Sequence, residues 1–245
     1  AFKDSQQKTR SLLVVHKNQI IGERYIRGFT KDSPILGWSM TKSILATLYG
    51  ILEYQGKLDM DYKPFSDEIQ MKNLKSNITL NHLLRMQSGL SWDENYFKIS
   101  DVTQMLFLAS DMTIAQRNTK VIAPPTEIWN YSSGTTNLLS GILRKQFKTH
   151  QEYLDFPYQS LFDKIGMNSA LLETDLVGNY VLSSYGWATT RDWAKFGLLY
   201  LNKGEWNGER IFSESWVDYV SKPTQNSDGT YGAHFWLNAE GKYPN

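Results

Sequence analysis

Ser39 and Lys42 stand three positions apart at the start of the apolar run "GWSMTKSILATLYGILEYQGKLD", residues 37–59. On the first turn of a helix, positions i and i+3 share a face, so this hydroxyl and this amine come within hydrogen-bond reach. A serine alone is a poor nucleophile. A lysine partly withdrawn from water loses enough basicity to take the hydroxyl proton. The helix N-terminus adds free N–H groups and a positive dipole end, which favour the anion formed when a hydroxyl attacks a carbonyl. The stretch from Ser39 to Lys42 therefore carries the parts of an acyl-transfer site. The plainer reading is an N-cap serine beside a solvated lysine. A second Ser-x-x-Lys, Ser5-Gln6-Gln7-Lys8, lies in a polar leader with no apolar helix behind it. It is assigned to chance, because a short motif counts only in its structural context.

Other chemistries fit less well. The histidines His16, His82, His150 and His234 are scattered, and none pairs at metal-ligand spacing, so neither a metal nor a cofactor is expected. The chain has no cysteine, which removes disulfides, thiolate nucleophiles and cysteine zinc sites together. Gly37-Trp38-Ser39-Met40-Thr41 lacks the final glycine of a nucleophile elbow, and the pattern predicts no strand immediately before it, so a Ser-His-Asp hydrolase fits poorly. No glycine-rich phosphate loop occurs. With 26 basic and 25 acidic residues and no long run of either sign, nucleic acid is not an expected partner. Asn77-Ile78-Thr79 and Asn130-Tyr131-Ser132 match the glycosylation sequon, a frequent chance match. Of the tryptophans near these segments, Trp38, Trp129 and Trp187, Trp187 is the candidate for walling a substrate cleft.

The elements that must position Ser39 and Lys42 follow from pattern. Residues 11–29 show two apolar, β-branched runs separated by Lys17-Asn18-Gln19, the signature of an antiparallel hairpin. Ile44, Leu45, Leu48, Ile51 and Leu52 sit at helical spacing, with Gly56 placed to close the helix. That helix is nearly all apolar, so it should be central. "ITLNHLLRMQSGL" reads as a short helix closed by Gly89, and "SDVTQMLFLAS" as another. "SSGTTNLLSGILRKQF" reads as a third, capped by Ser or Thr, and residues 190–203 as a fourth stopped by Gly204. A hairpin, a mostly helical middle over about residues 60–180, and a strand-like end at 231–238 predict an α+β fold. Its antiparallel sheet would draw strands from both ends of one domain, 1–245. No apolar stretch reaches the length of a membrane span, and the first residues lack the apolar region of a signal peptide. Any such signal would lie upstream, and the compartment stays open.

In order along the chain, "LGWSMTKSILATLYGILEYQGKLDMD", "ITLNHLLRMQSGL", "PPTEIWNYSSGTTNLLSGIL", "LFDKIGMNSA" and "SSYGWATTRDWAKFGLLYLNKGEWNGERIFSESW" resemble the serine β-lactamase and penicillin-binding-protein superfamily. The similarity is to its class C-like branch, which holds esterases and 6-aminohexanoate-dimer hydrolase. It implies that Ser39 is the acylated nucleophile and Lys42 its base or base partner. It also matches the family's Tyr-x-Asn or Tyr-x-Ser to Tyr131-Ser132-Ser133. Tyr131 would then exchange a proton with Ser39 and the leaving group, which calls for a pKa lowered from about 10 by the nearby ammonium. Ser133 would contact substrate or Lys42. The alternative for this segment is a helix start with Ser133 as N-cap and Tyr131 as a core aromatic. Serine at 133, where β-lactamases of this class carry asparagine, favours the esterase or amidase branch. The resemblance, with the absence of cysteine, favours an exported or periplasmic protein.

The family's third element, Lys or His followed by a small residue and Gly, has no match. Lys195-Phe196-Gly197 falls within a helix, and His234-Phe235-Trp236 has no glycine. The missing strand is expected beyond Asn245, with the domain incomplete at that end. The reading is a metal-free serine hydrolase acting on a small-molecule ester or amide through an acyl-serine intermediate, with oligomeric state open. The alternatives are a catalytically silent relative binding peptide or cell-wall ligands, and a true class C-like β-lactamase or D,D-peptidase.

Overall fold

A computed structural model of the chain describes residues 8–66 and 74–238. Ser5 of the chance motif and the segment next to Asn245 lie outside the described residues. Strands β1 (Ser11–His16) and β2 (Gln19–Tyr25) pair antiparallel, from Ser11 opposite Tyr25 to His16 opposite Gln19. The turn is shorter than the three-residue separator expected: Lys17 and Asn18 alone make it, at φ 48° and 61°. Two left-handed residues in sequence form the turn whose twist matches that of the flanking strands. Strand β3 (Pro34–Leu36) then leads through a single 3₁₀ turn, Trp38–Met40, into α1 (Thr41–Tyr54).

Helix α1 buries eleven of its fourteen residues, so it is the central helix its apolar spacing predicts rather than an amphipathic surface one. Its end is a Schellman motif: Gly56 at φ 67° lets Lys57 N–H reach Leu52 O at 2.9 Å and Gly56 N–H reach Glu53 O at 2.9 Å. Helix α2 (Leu80–Leu84) opens with a Thr79–His82 capping box. It stops earlier than expected, because Met86, not Gly89, is the first residue to turn left-handed, at φ 57°. Helix α3 (Asp101–Leu108) has its own capping box, Ser100 with Thr103. Helix α4 (Ser133–Arg144) is capped by Ser132. Helix α5 (His150–Pro157) runs through one π turn, Tyr158–Phe162, into the single turn α6 (Asp163–Ile165).

Strands β4 (Leu171–Leu172) and β5 (Gly186–Thr189) join β3 in a second antiparallel sheet, ordered β3-β5-β4. Helix α7 (Thr190–Leu201) follows directly. The two-residue strands β6 (Glu205–Trp206) and β7 (Glu209–Arg210) form a third pair, and α8 (Glu214–Ser221) comes after them. The class is α+β, with small antiparallel sheets around the helices. Residues 231–238 differ from the strand expected: they fold into a tight loop with one bridge, Tyr231 to Trp236. Two features bend them. His234 is left-handed at φ 60°, and Gly232 lies so close to Val220 that a Cβ there would fall 1.8 Å from its carbonyl oxygen. No helix among the described residues is long and apolar enough to cross a membrane.

The core gathers on α1. Tyr49 donates to Leu139 O of α4 at 2.8 Å, and Gly50 lies against the indole of Trp216 on α8. A Cβ at position 50 would fall 2.5 Å from two atoms of that buried ring. Gly50→Ala therefore sets two effects against each other. Removing a glycine from a helix interior gains roughly 1 kcal/mol, whereas overpacking a rigid, buried ring costs about 1–3 kcal/mol. The expected net result is a lower unfolding free energy in urea titration. A variant more stable than the parent would show that the indole has room to move.

Candidate active site

The approach to α1 is held by contacts that need small residues. Gly37 N–H donates to Gly186 O at 2.8 Å, and Gly186 N–H donates to Thr41 Oγ1 at 3.1 Å, so the start of β5 clamps the first turn. A Cβ on Gly37 would fall 2.4 Å from the Trp193 ring, and one on Gly186 would fall 2.8 Å from the Thr41 methyl. Trp38, between Gly37 and Ser39, is left-handed at φ 46°, an uncommon conformation for a bulky residue and one that clusters at functional sites. Ser39 thus sits on the 3₁₀ turn just ahead of α1, half-buried.

Three elements converge on Lys42. Its side chain is fully buried, and Nζ donates to Ser39 Oγ at 3.3 Å, Ser133 Oγ at 3.0 Å and Ser183 O at 2.8 Å. An ammonium has three protons, and here each has an acceptor. Burial pulls the Lys42 pKa down to about 8, against the opposing pull of the Glu94 charge.

Ser133 is brought to Lys42 as the sequence reading anticipates, but it is not the cap of α4. Ser132 caps the helix by accepting from Thr135 N–H at 2.9 Å, which leaves Ser133 as the first helical residue, with its hydroxyl turned inward. Glu94, which pattern reading missed, holds Ser133 from the other side. Glu94 Oε1 accepts from Ser133 Oγ at 2.5 Å, and Oε2 accepts from Ser133 N–H at 2.8 Å and Trp92 Nε1 at 2.5 Å. Tyr96 donates to Oε1 at 3.2 Å. A carboxylate at a helix N-terminus is also favoured by the dipole. Nothing in "SWDENY" marks Glu94 as part of the site, since Trp92 and Tyr96 are local partners and the one that ties it to Lys42, Ser133, lies 39 residues away.

Tyr131 has a hydrogen-bonding contact with the Ser39 side chain, but its ionisation differs from expectation. Burial raises its pKa and outweighs the Ser39 contact, and the Glu94 charge raises it further. Lys42 Nζ lies 5.1 Å from the centre of the Tyr131 ring, over its face, rather than beside the hydroxyl. Tyr131 is therefore a neutral phenol at neutral pH.

Ser39, Lys42 and Tyr131 open into one cavity of about 400 Å³, walled by Met40, Trp193, Phe196, Tyr231 and Trp236. Trp236 lies 5.2 Å from the Tyr131 ring, centre to centre. Trp187 is not among the lining residues; it sits on β5, where its Nε1 donates to Glu173 at 2.5 Å. Trp129 packs behind the wall against Tyr231 and Trp236, and Trp38 is half exposed. His234 also borders the cavity. Its Nδ1–H donates to Leu84 O at 2.6 Å, leaving Nε2 to accept from Thr136 at 3.1 Å, and burial pulls its pKa down to about 3. Lys195 lies within α7, as the sequence implies. It turns away to Asp192 and Gly166, while Phe196 and Gly197 beside it face the cavity.

Residues 3–243 match the family model described as Beta-lactamase. The 6-aminohexanoate-dimer hydrolase of Paenarthrobacter ureafaciens is 23% identical over 229 residues, covering 86% of this chain and 57% of that protein. A solved Bacillus anthracis structure, provisionally named a 6-aminohexanoate-dimer hydrolase, shares the fold at TM-score 0.79 and 24% identity. The match covers 94% of this chain and 66% of that one. The D-amino acid amidase of Ochrobactrum anthropi, complexed with L-phenylalanine, matches at TM-score 0.64 and 16% identity, over 86% of this chain and 70% of that one. The chain spans a little over half the length of the curated relative.

The burial of Lys42 has a direct signature. In protein labelled at lysine Cε with ¹³C, its resonance should titrate with a midpoint of about 8 and vanish in Lys42→Met. Because folding lowers this proton affinity, the unfolded chain binds more protons between that value and the free-lysine value of about 10.4, so stability rises with pH across this window. A Lys42 resonance still in its ammonium position at pH 10 would contradict the burial argument.

Proposed function

Because the chain belongs to the beta-lactamase family, we propose that it is a serine hydrolase in which Ser39 is acylated by an ester or amide and then released by water. The observation that carries this reading is a buried amine, Lys42 Nζ, 3.3 Å from the Ser39 hydroxyl, with its pKa drawn down to about 8. A neutral fraction of Lys42 exists at neutral pH. It takes the Ser39 proton as Oγ attacks the carbonyl, and the positive end of α1 favours the oxyanion that forms. Tyr131, held neutral, donates a hydrogen bond on the leaving-group side. The Lys42 ammonium returns that proton by way of Tyr131 to the departing oxygen or nitrogen as its bond to the acyl carbon breaks, so Lys42 is again a neutral base when water attacks the acyl-serine. The apolar wall of Met40, Trp193, Phe196 and Trp236 suits an uncharged acyl group. The similarity to a 6-aminohexanoate-dimer hydrolase and a D-amino acid amidase supports the amide side of this reading.

Ser39→Ala should abolish covalent labelling by a fluorophosphonate, read by intact-mass spectrometry, in a protein that still folds but with a lowered unfolding temperature, because Lys42 Nζ loses one of its three acceptors. Labelling that persists on another serine sinks the assignment. In the parent protein the labelling rate should climb through pH of about 8 and level off above it, since only the amine form of Lys42 accepts a proton. A rate that falls over that range would mean the ammonium is the active form.

Ser133 offers a hydroxyl where an asparagine amide would both donate and accept, and activated esters ask less of the deacylating water than β-lactams do. The expected order of kcat/KM is p-nitrophenyl butyrate above nitrocefin at one pH. Nitrocefin favoured by tenfold, about 1.4 kcal/mol in barrier, would make β-lactam hydrolysis the better reading.

A further inference from the structure

We infer that Glu94 is a positioning residue that sets the direction of the Ser133 hydroxyl, so that the lone pair of neutral Lys42 can face only Ser39. The inference rests on the reading of Ser39 as nucleophile and Lys42 as its base.

The argument is a count of protons and lone pairs. When Lys42 loses a proton, the amine keeps two N–H donors and gains one lone pair. Its three neighbours are Ser39 Oγ, Ser133 Oγ and Ser183 O, at 3.3, 3.0 and 2.8 Å. The Ser183 carbonyl can only accept. A hydroxyl can do either, so Ser133 left to itself could turn its proton onto the amine and occupy the lone pair. That would leave Ser39 without a base. Glu94 removes this option, because its Oε1, 2.5 Å away, takes the Ser133 proton and leaves only the Ser133 lone pairs toward Lys42. The two amine protons then go to Ser133 and Ser183, and the lone pair is left for the Ser39 proton.

The carboxylate cannot turn away. Oε2 is fixed by two groups that only donate, Ser133 N–H at 2.8 Å and Trp92 Nε1–H at 2.5 Å. Trp92 is itself held by the close approach of α4, where a Cβ on Gly134 would fall 2.5 Å from the indole. The acceptor facing Ser133 Oγ is thus specified by backbone and indole donors that have no alternative.

This arrangement makes Glu94→Gln more than a loss of charge. The amide oxygen must take the place facing the two fixed donors, which puts the NH₂ group where Oε1 was. That group donates to Ser133 Oγ, and the Ser133 proton is freed to turn onto Lys42. In Glu94→Gln, kcat for p-nitrophenyl butyrate and the limiting rate of fluorophosphonate labelling should each fall tenfold or more at pH 9. KM and the half-saturating label concentration should stay within about twofold, because Glu94 does not line the cavity.

The decisive comparison adds Ser133→Ala. If Glu94 acts through Ser133, the Glu94→Gln change should have no further effect in the Ser133→Ala background. A role confined to holding the loop around Trp92 would give the same loss in both backgrounds and would overturn the inference. So would a Glu94→Gln protein that labels at the parent rate. Unfolding temperatures of all variants separate misfolding from misdirection, and Glu94→Ala keeps the comparison open if Glu94→Gln folds poorly, because it too removes the acceptor of the Ser133 proton and should show the same tenfold fall. Labelling at the parent rate in a folded Glu94→Ala protein counts against the inference. A parent protein that never labels at Ser39 would instead overturn the nucleophile assignment itself.

Discussion

A lysine closed off from water must have every one of its protons accepted, and this requirement organises the centre of the molecule. Burying an ammonium without partners is far costlier than any single packing gain, so its acceptors have to be in place when the core closes. Lys42 meets the condition with Ser39 from its own turn, Ser133 from the start of α4 and the Ser183 carbonyl from the segment leading into β5. None of the three acceptors bears a charge. The amine is desolvated without an ion pair in direct contact, which is why its proton affinity falls rather than rises. The carboxylate that balances it, Glu94, is one hydroxyl away.

That single hydroxyl of separation gives the site its character. A carboxylate in contact with Lys42 would have locked it as an ammonium, whereas one behind Ser133 supplies counter-charge and leaves the amine able to exchange its proton. The same low-dielectric surroundings act on Tyr131 in the opposite sense, since burial there disfavours the charged form and keeps the phenol protonated. One buried environment thus frees part of the amine from its proton at neutral pH and keeps the phenol protonated. The two groups are not interchangeable, although both stand at the Ser39 hydroxyl.

Packing around the centre is correspondingly tight. Glycines at 37, 50, 134 and 186 each stand where a Cβ would run into an aromatic ring or a threonine side chain. The rings they admit, Trp193, Trp216 and Trp92, fix α7, α8 and the Glu94 loop against α1 and α4. The loop at residues 231–238 then lays Tyr231 and Trp236 across Tyr131. An aromatic wall and a buried polar cluster lie side by side, and the boundary between them is the edge of the cavity.

What was readable from sequence is what depends on near neighbours. The β1–β2 hairpin, the central apolar α1, the helices α3 and α4 and the pairing of Ser39 with Lys42 all follow from periods and spacings of a few residues, because local backbone geometry decides them. The Tyr131-Ser132-Ser133 segment was found through family resemblance, and its local reading as a helix start was right in kind but shifted by one residue, from Ser133 to Ser132 as cap. The contacts that give Lys42 its chemistry span 91 residues to Ser133 and 141 to Ser183, and the carboxylate behind them is 39 residues from Ser133. No spacing rule reaches that far, and a main-chain carbonyl such as Ser183 leaves no mark in a sequence at all. The protonation of Tyr131, the placing of Trp236 rather than Trp187 at the cavity, and the loop at 231–238 were likewise decided in three dimensions. Each depends on burial and on which distant backbone lies alongside, and both exist only once the chain has closed on itself.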